Sequence, residues 1–225
     1  MSELTQEIQG LLLSVEAERK RRTLDPLFKA RVDEVKRYQH ARFSGTYRDL
    51  LDTPATSKAA HFFLEELYGP KDFARRDAQF SRVAPKVVGL FPGAIGRIVL
   101  SLARLHALTE RLDSEMAVVM VQPRLSDVSY KQAWRTVAQA GARAEQIDGV
   151  LAVGLALAQQ VRKPLVRGTL RMMRGPAKAA GLDSLQSLLE AGFDAFRDLP
   201  DAAAFVLTVA ARERSLAAQL FSADA

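Results

Sequence analysis

The stretch 93–121 carries the longest helical pattern in the chain. Ile98, Leu105, Leu108, Leu112, Met116 and Val119 form a broad apolar face, which Ile95, Val99 and Leu102 extend. Apolar residues recurring every three or four positions match the period of an α-helix. No segment alternates with the period of two that a half-buried strand needs. Ala117 to Val121 comes nearest, and it lies inside the helical pattern. The fold class that follows is all-α.

The punctuation agrees. Asp25-Pro26 reads as a helix start, with Asp capping and Pro in the first turn, followed by Leu27, Phe28, Val32 and Val35 facing inward. Ser126 or Asp127 can cap a helix over 127–142 that carries Val128, Trp134 and Val137, and a second helix follows over 143–162. Gly149 and Gly154 inside that second helix cost helix propensity and suggest close approach of another backbone. Gly175-Pro176 ends a helix over 163–174, and Asp183 with Gln186 offers a capping box for 184–198. Leu199-Pro200-Asp201 turns the chain into a last helix over 201–220. Without repeats, low-complexity tracts or long linkers, residues 1–225 read as a single-domain irregular helical bundle of about seven to nine helices.

Residues 61–77, HFFLEELYGPKDFARRD, hold the most distinctive text. Gly69-Pro70 divides it into two expected helices, 56–68 and 71–83. In the first, Ala60, Phe63, Leu64 and Leu67 share the core face, while His61, Glu65 and Tyr68 share another. In the second, Phe73, Asp77 and Phe80 line up, so Asp77 is expected to be buried beside a cation, with Arg212 the candidate. Over Phe62 to Tyr68 the stretch resembles a family of uncharacterised bacterial proteins known by a shared FFLEELY motif. The resemblance implies no activity.

Composition narrows the chemistry. With no cysteine, disulfides, thiolate metal sites and cysteine nucleophiles are excluded. The N-terminus, MSELTQEIQG, does not read as a signal peptide, and no apolar run reaches the roughly 20 residues that span a bilayer. A cytoplasmic protein is expected. Walker, Rossmann, nucleophile-elbow and HExxH signatures are all missing.

Two features remain as candidate sites. His61/Glu65 and His106/Glu110 each place an imidazole and a carboxylate at i and i+4, and Asp113 lies one turn beyond Glu110. Two such helices facing each other would offer the ligand set of a di-iron-like bundle site, with iron or zinc as the metal. The usual Glu-x-x-His spacing of those bundles does not occur, and an ordinary solvated face gives the same pattern. His40 reads as a surface histidine. The second feature is the helix over 163–174, whose Lys163, Arg167, Arg171 and Arg174 form a cationic stripe opposite Leu165, Val166, Leu170 and Met173. No acidic residue occurs from Gly149 to Leu182, and the net charge is +6. Such a stripe suits nucleic acid, an anionic lipid surface or an acidic protein, or it is a core-packed helix with a solvated basic side. The leading expectation is a non-enzymatic binding module that uses the 163–178 segment. A metal-dependent helical enzyme built on the two His/Glu pairs is the alternative.

Overall fold

The computed structural model describes residues 3–67, 78–84 and 94–222. The described residues contain no strand, and eleven α-helices follow one another. They are α1 (Glu3–Leu24), α2 (Pro26–Thr46), α3 (Arg48–Asp52), α4 (Pro54–Phe62), α5 (Ala94–Val119), α6 (Asp127–Val137), α7 (Ala140–Gln160), α8 (Pro164–Met172), α9 (Arg174–Ala179), α10 (Asp183–Arg197) and α11 (Ala202–Phe221). A π-helical turn, Phe63–Leu67, continues α4, and residues 78–84 are helical. The number exceeds the expectation because short pieces such as α3 and α9 stand as helices of their own. Tyr68, Gly69-Pro70, Phe73 and Asp77 lie outside the described residues.

Local chemistry explains most boundaries. The Asp25 side chain accepts the Phe28 N–H at 2.9 Å and Asp201 accepts the Ala204 N–H at 2.9 Å, each satisfying a donor that the helix itself cannot. Ser126 and Ser129 form a reciprocal capping box at the start of α6. α6 ends earlier than expected, at Ala138, which adopts the left-handed conformation (φ 52°) without a glycine to signal it.

The end of α8 also departs from the sequence pattern. The helix breaks at Met173, and Gly175-Pro176 sits in the first turn of α9 rather than at a terminus. Gly181 then takes the left-handed turn (φ 65°) that leads to α10. α10 has no side-chain cap of its own; the expected Asp183/Gln186 box does not form. Instead Gln79, buried in the 78–84 segment, accepts the Leu185 N–H at 2.8 Å through its amide oxygen. Gln186 is drawn elsewhere, donating to the Leu170 carbonyl at 2.6 Å and so tying α10 to α8.

α5 packs on α1, α2, α6 and α7, while α10 packs on α4, α7, α8 and α9. The largest apolar cluster joins the ends of α2 and α7 to α4, the π turn, α10 and α11 around Phe63, whose ring approaches those of Phe196 and Phe205 at 5.8 Å each. A second cluster packs Phe28, Val32 and Val35 of α2 on Met116 of α5, on Met120 just past its end and on Trp134 of α6. A third joins Ile8 and Leu12 of α1 to Val99 and Ala103 of α5 and to Ala84. Gly154 does mark a close approach, but of a side chain: a Cβ there would lie 2.6 Å from Val206 Cγ1. Gly192 in the same way admits the Phe62 ring, 2.8 Å from where a Cβ would stand. Leu27, expected inside, is 78% exposed.

Candidate functional site

Two charged regions compete as the site, and they differ in what surrounds them. The first lies along α5. Glu110 and Asp113, one turn apart, are both buried. The Lys36 ammonium donates to Glu110 Oε1 at 2.7 Å, and Arg22 reaches the other oxygen, Oε2, while also donating to the Glu110 carbonyl at 3.0 Å and to Ser114 Oγ at 2.9 Å. Burial alone would raise the Glu110 carboxyl, but the Lys36 and Arg22 cations overcome it and hold the group at about 2. Asp113 accepts from the Gln39 amide at 3.1 Å, and its burial outweighs the Lys36 and Arg143 cations and pushes its carboxyl up. Nearby Arg143 is buried with its guanidinium 4.0 Å from the centre of the Trp134 ring, and it donates to Gln146 Oε1 at 3.1 Å.

These contacts decide where the His/Glu residues go. Glu110 has both carboxylate oxygens engaged by cations. His61, at the exposed end of α4, bonds through Nδ1 to the Ser57 carbonyl at 2.9 Å. Glu65 lies on the π turn with its Oε1 3.7 Å from His40 Nε2, so His40 is half-buried against a carboxylate rather than a free surface histidine. α4 packs on α3 and α10, whereas α5, which bears His106 and Glu110, packs on α1, α2, α6 and α7. Among the described residues no three His, Asp or Glu side chains are grouped to hold a metal ion, so His61, Glu65, His106 and Glu110 form no shared cluster there. Arg212 forms a two-pronged pair with Asp49, at 2.6 Å to each oxygen, and also reaches the Thr46 carbonyl.

The second region is α8 and its continuation. Val166 and Leu170 turn toward the large cluster. Lys163 precedes the first turn, Arg167 and Arg171 lie on α8, and Arg174 opens α9, so the stripe spans two helices. Tertiary packing brings α10 carboxylates to part of it. Arg174 Nε lies 2.7 and 2.8 Å from the two Glu190 oxygens, and Arg174 with Gln186 holds Glu190 at about 2. Arg167 lies 3.6 Å from Asp194. Arg162, Lys163, Arg171 and Lys178 are exposed and make no ion pair among the described residues. Leu165 and Met172, on a further side of α8, are 82% and 77% exposed. At the N-terminal end of α8 a cavity of about 320 Å³ opens between Arg162, Arg197 and the apolar residues Val161, Phe196, Leu199 and Ala202.

The sequence profile of a domain of unknown function, DUF8198, matches residues 18–225. The chain belongs to that family. Comparison with curated proteins and with solved structures finds no match. Both the α5 layer and the α8 stripe fall within the DUF8198 span, as does the Phe62–Tyr68 stretch, of which the described part wedges Phe63 and Leu64 into the core.

Sequence reasoning missed the partners rather than the charges. Arg22, at the end of α1, is a buried member of the α5 layer, which nothing in its local sequence signals. Lys36 and Gln39 gave no signal, since only the packing of α2 on α5 aims them at Glu110 and Asp113. Leu165 was read as part of the apolar packing face, and it is exposed.

Proposed function

We propose that this DUF8198 chain is a non-enzymatic binding module, a single helical domain that engages an anionic partner through the α8–α9 face. The observation that carries the reading is the set of four exposed cations, Arg162, Lys163, Arg171 and Lys178, without an ion-pair partner among the described residues. Exposed charges of one sign attract an oppositely charged partner and speed its encounter, and salt screens the attraction. Arg167 and Arg174, tied to Asp194 and Glu190, hold the face in place on α10 and add less. A cytoplasmic setting belongs to the same proposal. The enzyme alternative lacks comparable support, because Glu110 is engaged by Arg22 and Lys36.

Retention on heparin, used as a generic polyanion, tests the reading. The wild-type protein is expected to bind at low salt and elute as salt rises, and the double variant Lys163→Glu, Arg171→Glu to elute markedly earlier. Equal elution of the two proteins, or no retention at low salt, overturns it.

A further inference from the structure

The α8–α9 face presents more than charge. With about 100° between successive residues, Leu165, Gly168, Thr169 and Met172 share one side of α8, and all four are exposed. Val166 and Leu170 occupy a different side, the one packed on the large cluster. Leu165 and Met172 therefore contribute nothing evident to the core. Two turns apart, with Gly168 between them, they form a narrow apolar strip on a convex surface. Met173, just past the helix end, is 47% exposed and extends it. Along the chain Arg162 and Lys163 precede the strip, Arg171 falls within its length and Lys178 follows on α9, all four exposed.

We infer that this face docks on the surface of an anionic lipid bilayer, with the four cations among the headgroups and Leu165 and Met172 entering the boundary of the acyl chains. The inference rests on the anionic-partner reading and names its occupant. Charge complementarity selects an anionic surface, because attraction of Lys and Arg to acidic lipids accumulates residue by residue. The apolar strip selects lipid within that class. A polyanion such as nucleic acid offers phosphates to the cations, but an aliphatic strip with no aromatic ring gives bases nothing to stack on. A convex row of flexible aliphatic side chains suits a deformable interface, where binding grows with buried apolar area and with electrostatic attraction together. No helix among the described residues is long and apolar enough to cross a membrane, so the contact proposed is peripheral.

The test uses the full chain and vesicles of mixed phosphatidylcholine and phosphatidylglycerol, against pure phosphatidylcholine. Cosedimentation is expected with the mixed vesicles and not with the pure ones. Lys163→Glu, Arg171→Glu should weaken it by about tenfold or more. Leu165→Ser, Met172→Ser should weaken it by a similar factor while leaving heparin retention unchanged, which separates this inference from the broader reading. Because the chain has no cysteine, Met172→Cys accepts a single environment-sensitive fluorophore, and Leu13→Cys, at an exposed position of α1, provides a control. A blue shift at position 172 alone, on mixed vesicles, supports the orientation. Heparin retention without vesicle binding overturns the lipid inference and leaves the anionic reading standing. Undiminished vesicle binding by the Ser variant, or equal shifts at 13 and 172, overturns the insertion of the strip. Failure on both heparin and vesicles overturns the inference and the broader reading together.

Discussion

Glu110 on α5 and Arg171 on α8 are both charged residues on amphipathic helices, and they differ in what stands opposite. Around Glu110, α1 and α2 bring Arg22 and Lys36, so the buried carboxylate is compensated on both oxygens. Around Arg171, α10 brings Glu190, whose hydrogen bonds go to Arg174 and Gln186, so that Arg171 acts on it only through the weaker pull of its charge. A compensated buried charge is committed to the fold, because removing one member strands the others away from water. An exposed charge that makes no ion pair costs the fold little and remains available to a partner. The two regions teach that the count of charges on a helix says less about function than the count of partners supplied by its neighbours.

The largest expected effect breaks the buried side of this comparison. Glu110→Gln should destabilise the protein by about 3–5 kcal/mol, since Arg22 and Lys36 lose their counter-charge. Urea unfolding measures it, and a loss of under about 1 kcal/mol would mean that the layer is solvated. The same group sets an acid limit. Its folded value near 2 lies below the ordinary 4.5, so its contribution is full above about pH 4.5 and disappears as pH falls toward 2.

Next in size is the cap that secures the platform beneath α8. Gln79→Ala removes the acceptor of the Leu185 N–H and should cost about 1–2 kcal/mol. Hydrogen exchange should quicken at the start of α10, and unchanged exchange there would show that the cap is dispensable.

Asp113→Asn should separate the two carboxylates of the α5 layer. Burial raises Asp113, so ionising it opposes folding, and that cost grows as pH rises through its folded value. At neutral pH the Asn variant should match or exceed wild-type stability, and its advantage should vanish in acid. A clear loss at neutral pH would mean that the Asp113 charge is compensated as Glu110 is. The smallest expected effect on stability comes from Lys163→Glu, Arg171→Glu, whose unfolding midpoint should stay close to wild type while heparin retention falls. A large drop in the midpoint would place these cations in the fold's own interactions.

Much of the fold was legible because it is local. Helical period alone exposed the all-α class, and Asp25, Ser126 and Asp201 announced helix starts that the structure contains, since a cap needs only a side chain and an N–H a few residues away. The burial of Phe63, Leu64, Leu112 and Met116 followed from the same periodicity. Boundaries without a local signature escaped: Ala138 enters the left-handed region with no glycine, and α10 borrows its cap from Gln79, far away in sequence.

The candidate sites divide along the same line. The sequence by itself determined that α8 carries cations with no acidic residue nearby in the chain, and that His61/Glu65 and His106/Glu110 have helical spacing. Only the tertiary structure decided which of those charges meet a partner. Packing of α2 and α1 on α5 gave Glu110 to Lys36 and Arg22, the π turn set Glu65 beside His40, and α10 supplied carboxylates to Arg174 and Arg167, while Arg171 makes no ion pair among the described residues. The physical reason is range. Capping and periodicity act within a turn or two of one helix, whereas charge pairing acts across a few ångströms between helices whose separation along the chain is unrelated to their separation in space.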